Sequence, residues 1–203
     1  MTSSDLSNSD LGTGVRGPSI IRYTDAAVAM DAAELQLALD RIFFAASLTK
    51  AFTSDTARAA FRDRWLGRFL RIEPERAFLA VSGTSQKPGA ILGYVAGSFD
   101  DPAQAARFAD IGYFPSLAHL TARYPAHLHI NLAEDARGAG LGSRLIGRFV
   151  EDARRAGCQG VHVVTGAAAR NVGFYRRNGF VDAFPFAWSG TPLVMLGQAL
   201  APP

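Results

Sequence analysis

The chain has 203 residues, of which 48% are hydrophobic, and a formal net charge of +3. That length supports one well-formed core and is short for two large domains; no apolar run approaches the about 18 residues of a membrane span, and no charged-then-apolar leader opens the chain. Neither a membrane span nor secretion is therefore expected, the cytoplasm is the default location, and the modest positive charge does not by itself imply nucleic acid. The one cysteine, Cys158, excludes an internal disulfide framework and an all-cysteine metal site. No metal is expected.

In chain order, residues 1–18 are rich in Ser, Asp, Gly and Asn without apolar periodicity and are expected to form a flexible tail ahead of a single domain over 19–203. Residues 19–23 predict a short strand, after which Thr24 or Asp25 is placed to cap a helix. Over 26–47 the spacing of Val28, Met30, Leu35, Leu37, Leu39, Ile42 and Phe43 predicts one long helix or a broken pair. A further helix is expected from 53 to about 72, apolar through Phe61, Trp65, Leu66, Phe69 and Leu70. Its other side carries Arg58, Arg62, Arg64, Arg68 and Arg71, with Asp63 interleaved, and is read as a solvated face. Strands are expected at 77–81 and 90–97, joined by a Gly- and Ser-containing hairpin connection. The segment 99–125, with Tyr113, Phe114, His119 and Tyr124, is long for a hairpin; it reads either as a functional loop or as extra packing helices.

The alternation of Leu128, Ile130 and Leu132 predicts a strand that runs into Arg137, Gly138, Ala139, Gly140, Leu141, Gly142 and Ser143, and then into a helix with a buried stripe of Leu141, Leu145, Ile146, Phe149 and Val150. Glycines at 138, 140 and 142 let a ligand approach the backbone and tolerate positive φ, and the first N–H groups of a helix lack intrahelical partners at the positive end of its dipole. The turn is therefore laid out for an anion, with Arg137 at its rim. It lacks the Gly-Lys-Ser/Thr end of a P-loop, and the third glycine and downstream acid of a dinucleotide fingerprint. A strand at 160–165, parallel to the previous one because a helix intervenes, a short helix at 171–178 ended by Gly179, and strands at 181–187 and 193–197 complete the pattern.

Arg137-x-x-Gly140-x-Gly142 resembles the coenzyme A loop of the GNAT superfamily of N-acetyltransferases. The segment from Asn171 through Phe174 and Tyr175 to Gly179 and Phe180 resembles that family's second signature, with a shortened spacer. The resemblance implies an α/β (α+β) fold: a mixed, mostly antiparallel sheet of six to seven strands with a central parallel pair whose ends splay, flanked by helices. It also implies acetyl-CoA as co-substrate, an amine as acceptor and, as in many members, a homodimer.

By the same resemblance, backbone groups of Leu132 and Ala133 would hold the pantetheine arm, Asn171 would bond it, and Tyr175 would protonate the departing sulfur. The base is less clear from the pattern. His127, His129 and Asn131 share one strand face, with His129 nearer the thioester end, while an ungapped count puts the family's usual base positions at Ala126 and Leu128. The alternation also resembles the acetyltransferase-like domain found beside O-GlcNAc hydrolases, where an Asp usually stands at the Asn131 position. A water-mediated route, and a non-catalytic acyl-CoA-binding module, both remain open at this point.

Overall fold

The computed structural model describes residues 17–201, so most of the expected N-terminal tail lies outside the described residues. Seven strands form one sheet in the order β1-β2-β3-β4-β5-β7-β6. They are β1 (Ser19–Arg22), β2 (Phe78–Val81), β3 (Ile91–Ser98), β4 (Ala126–Leu132), β5 (Gly160–Gly166), β6 (Asp182–Trp188) and β7 (Thr191–Ala199). Every neighbouring pair is antiparallel except β4–β5. The parallel pair exists because a crossover helix, α6 (Leu141–Arg155), separates those two strands.

Period-two alternation divides the core between the two faces. Phe78, Ala80, Val95 and Leu128 meet α6 through Leu145, Ile146 and Phe149. Leu79, Val81, Tyr94 and Ala96 face the other layer, built from α1 (Tyr23–Ala29), α2 (Ala32–Ala46), α3 (Asp55–Arg62) and α4 (Arg68–Ile72). Each fully buried Leu or Phe here contributes about 1.5–3 kcal/mol. Glycine makes one contact possible: a Cβ on Gly97 would stand 2.6 Å from the Phe149 ring, so α6 reaches the sheet only over a bare backbone.

Several sequence expectations are corrected in this layer. The apolar run over 26–47 is the broken pair, and neither Thr24 nor Asp25 caps it; α1 already begins at Tyr23, while Asp31 caps α2 by accepting from the Ala33 and Glu34 amides. Val28 and Leu37 are exposed, because the break rotates α1 and α2 independently and only Leu35, Leu39, Ile42 and Phe43 of α2 reach the core. Between α3 and α4 lies a π-helical turn, Asp63–Gly67, which carries Trp65.

The arginine-rich face is internally engaged rather than simply solvated. Arg68 is buried and, with Arg64, grips Asp110 at 2.7 Å, holding that carboxyl down to about 2, chiefly through the Arg68 hydrogen bonds. Arg62 pairs with Asp40, Arg71 with Asp63, and Arg58 lies over the Phe44 ring.

The segment between β3 and β4 folds as short helical turns ending in α5 (Ala118–Thr121), and it buries Phe108, Tyr113, Phe114 and Tyr124, leaving His119 exposed. It is chiefly packing, with Tyr113 also reaching a cavity described below. The remaining helix, α7 (Asn171–Arg177), ends as expected at Gly179, whose φ is +93°.

Candidate active site

β4 and β5 pair only at Ala126↔Val161 and His127↔His162. Beyond that point β4 continues against β3, and β5 against β7. The two strands therefore diverge at their C-terminal ends. Leu132 faces Gly93 as a non-hydrogen-bonded pair, since the flanking Ala133 N–H donates to the Leu92 carbonyl at 2.9 Å. By the alternation of an antiparallel ladder, the N–H and C=O groups of Ile130 and Leu132 turn away from β3 into the gap.

A cavity of about 520 Å³ opens there. Its strand wall is Ile130, Asn131 and Leu132; its glycine wall runs from Arg137 through Gly138, Gly140, Leu141 and Gly142 to Ser143; and α7 contributes Asn171, Phe174, Tyr175 and Arg177. Ala133 and Ala139 do not line it. Ala133 has spent its N–H on Leu92, so the backbone groups that face the gap belong to Ile130 and Leu132 instead.

The glycine turn combines two different demands. Gly138 (φ +83°) and Gly140 (φ +74°) occupy the left-handed region, and Gly140 caps α6 with no side chain. The first intrahelical bond runs from Arg144 N–H to the Gly140 carbonyl, so the amides of Leu141, Gly142 and Ser143 have no helical acceptor. Gly142 is different from what the spacing suggested: it is helical, and a Cβ there would stand 3.0 Å from the Phe174 ring, so its smallness serves close packing of α6 on α7.

The Tyr175 ring is buried, and burial raises its hydroxyl to about 12. Asn171 accepts a hydrogen bond from the Thr165 hydroxyl at 3.0 Å through Oδ1, which leaves its amide N–H₂ to donate. Arg177 was not singled out from the sequence. Two adjacent arginines at 176 and 177 were the available signal, and the sequence does not say which of them turns toward the cavity.

The two strand histidines point elsewhere. His127 is buried among Phe69, Phe108 and Phe114 and stacks on His162 at 5.5 Å, and neither of its ring nitrogens has a hydrogen-bond partner among the described residues. Burial, reinforced by His162 and His129, holds it well below the usual imidazole value. His129 packs edge-on against Trp65 at 5.3 Å and against Phe69, and burial drives it down to about 4. Neither histidine lines the cavity.

Asn131, the third residue on that strand face, lies where the site is busiest. Its Nδ2 donates to the buried Tyr94 hydroxyl at 2.7 Å. It lines the first cavity and also a second one of about 360 Å³ on the α2–α3 side of the sheet, walled by Phe43, Phe61, Trp65, Tyr113 and Leu193. The two spaces also adjoin through Ala46 and Ser47, and through the Thr165–Asn171 hydrogen bond.

Cys158 lies apart from both cavities; burial pushes its thiol up, away from a reactive thiolate. Among the described residues no helix is long and apolar enough to cross a membrane, and no group of three or more His, Cys, Asp or Glu side chains is arranged to hold a metal ion.

Comparison with solved structures finds the same fold repeatedly. SsHAT is 23% identical, with 92% of this chain and 100% of that chain covered and a TM-score of 0.64. The yncA protein of Salmonella typhimurium, solved with acetyl-CoA, is 18% identical over 92% and 95% of the two chains, TM-score 0.55. A ribosomal-protein-alanine N-acetyltransferase from Brucella melitensis is 19% identical over 90% and 99%, TM-score 0.53. At the level of sequence, residues 41–180 match the model of the Acetyltransferase (GNAT) family. That match spans the divergent strands, the glycine turn and the tyrosine-bearing helix, and the chain belongs to the GNAT acetyltransferase family.

Proposed function

We propose that the protein is an acetyl-CoA-dependent N-acetyltransferase that moves the acetyl group directly to a primary amine. The observation that carries this reading is the single cavity that joins the uncapped start of α6 to the gap between β4 and β5 and to the Tyr175 ring. A thioester donor with a pyrophosphate at one end and an amide-bearing arm needs those features in that order.

The residues present fit such a donor. The amides of Leu141, Gly142 and Ser143, with Arg137 and Arg177 at the rim, would hold the pyrophosphate. Ile130 and Leu132 would offer their free backbone groups to the arm, and the Asn171 N–H₂ would donate to one of its carbonyls. Tyr175, protonated over the whole working pH range, would give its proton to the departing sulfur and recover one from the amine. The thioester supplies the acyl group. Neither His127 nor His129 is given the base role in this mechanism, because neither lines the cavity and both are held neutral; the ammonium loses its proton to water, or the amine arrives neutral.

Calorimetry with acetyl-CoA tests the reading. Wild type is expected to bind it, and Gly140→Trp to lose that binding while staying folded, since among the described residues nothing lies within 4 Å of the position and the positive φ carries a cost of about 1 kcal/mol. A folded wild type that takes up no acetyl-CoA would remove the proposal. Binding without acetyl transfer to any amine would leave a non-catalytic acyl-CoA-binding module.

A further inference from the structure

The second cavity, a groove open to solvent on one side, also touches Asn131, and its walls carry a chemical preference. Phe43, Phe61, Trp65, Tyr113 and Leu193 form an apolar, largely aromatic slot, with Leu48 standing open to solvent at its lip. The lining residues with polar side-chain atoms are Ser47, Thr49, Asn131 and Thr165, together with Trp65 and Tyr113. Among the described residues no Asp, Glu, Lys or Arg lines it. The titratable groups at its inner wall are held neutral at pH 7, since burial raises the Tyr113 and Tyr94 hydroxyls and drives His129, edge-on to Trp65, down to about 4; Lys50, Asp55 and Arg58 lie on the outer side, beyond Thr49. Arg62, which acts on the Tyr94 hydroxyl, is paired with Asp40.

A cationic ammonium seated against these inner walls would give up part of its water and meet no carboxylate among the lining residues. A neutral amine on a flat apolar body meets no such cost. The π-helical turn of Asp63–Gly67 places Trp65 in the slot, and the indole, with Phe43 and Phe61, offers ring edges and faces for stacking. The Asn131 side chain has a fixed orientation, because Nδ2 donates to Tyr94. Its Oδ1 has no hydrogen-bond partner among the described residues, and Asn131 lines both cavities, which leaves that oxygen as an acceptor for an incoming N–H.

We propose that this slot is the acceptor site and that it takes a weakly basic aromatic primary amine, seated between Trp65 and the two phenylalanines with its N–H donated to Asn131 Oδ1. This rests on the N-acetyltransferase reading above and names its substrate class. The amine nitrogen bonds to the thioester carbonyl carbon, the carbon–sulfur bond breaks, and one amine proton ends on sulfur through the Tyr175 hydroxyl, giving an N-aryl acetamide and a free thiol. An aromatic amine delocalises its lone pair into the ring and is neutral at pH 7. An aliphatic amine with a lysine-like pKa is neutral in only about one molecule in 2,500 at that pH.

The test compares 4-methylaniline with benzylamine, reading thiol release and product mass, together with calorimetry of each amine on the CoA-loaded protein. Wild type should bind and acetylate 4-methylaniline at pH 7 on the order of 100-fold better than benzylamine. Its kcat/KM for the aromatic amine should be flat from roughly pH 6 to 9, while that for benzylamine should rise about tenfold per pH unit. Asn131→Asp, which puts a carboxylate at the junction, should move the binding preference toward benzylammonium, and Trp65→Ala should raise KM for the aromatic amine more than it lowers kcat. Benzylamine turned over faster than 4-methylaniline at pH 7, or no acetylation of either by a protein that binds acetyl-CoA, would overturn the acceptor assignment alone. Absence of acetyl-CoA binding would overturn it together with the N-acetyltransferase reading.

Discussion

Tyr175→Phe is expected to lower kcat by about 10²- to 10⁴-fold, the range by which a positioned proton donor accelerates such steps, with acetyl-CoA binding unchanged. The hydroxyl is the only atom removed. The ring packs against Phe174 and Phe180, and those contacts persist in the variant, so its folding should match wild type. Because burial holds the hydroxyl up at about 12, it stays protonated throughout the usual assay range, and wild-type kcat should show no loss assignable to this group below about pH 10. Single-turnover thiol release and acetyl-CoA calorimetry on both proteins separate chemistry from binding. A variant with wild-type kcat would remove Tyr175 from the reaction and leave proton delivery to solvent.

The other large effect concerns acid stability. His127 and His162 stack in the core with His129 half-buried on the same strand face as His127, and burial lowers all three, His129 and His162 to about 4. In the unfolded chain each would titrate near 6.5, so between about pH 6.5 and 4 the unfolded state binds protons that the folded state refuses. Stability is then fully present above pH 6.5 and declines as the pH falls through that window, by up to about 1.4 kcal/mol per pH unit for each group. Three such groups amount to several kcal/mol, against a typical total of about 5–15.

Thermal melts should therefore show Tm falling steeply from pH 6.5 to 4.5. His127→Phe should flatten that slope and be neutral or stabilising at pH 7, since both ring nitrogens of His127 are buried without partners while a phenyl ring suits Phe69, Phe108 and Phe114. His162 is the less suitable position, because its Nδ1 donates to the Tyr124 carbonyl. A Tm that holds steady across the window would sink this account.

The strands, the crossover helix and the glycine turn were legible because each carries a local signal: alternation in β4, a 3.6-residue stripe in α6, and φ-permissive residues at Gly138 and Gly140. Long-range packing was not. The sequence correctly puts His127, His129 and Asn131 on one strand face, but what that face meets changes along its length. The first two residues meet rings contributed by α4 and by the segment between β3 and β4, and the third meets two cavities. Two imidazoles side by side look like a proton relay in sequence, whereas Asn131 stood out only as the place where the resembling domain carries an Asp. Phe69, Phe108 and Phe114 decide the matter, and no local pattern shows that α4 and the segment before β4 fold their rings onto that face. Val28 and Leu37 fail for a related reason, since apolar spacing across a helix break does not reveal the rotation at the break.

The short β4–β5 ladder means that the sheet is mechanically two pieces. β1 to β4 form one, β5 to β7 the other, and two residue pairs at Ala126 and His127, backed by α6, are the seam between them. Each side of the gap leaves a backbone edge without a strand partner, a situation that proteins elsewhere correct by adding a strand. An arm carrying amides that lies along Ile130 and Leu132 would act as that missing strand. The donor would then be a structural member of the sheet as well as a reactant, and the enzyme would be stiffest while loaded and loosest between turnovers.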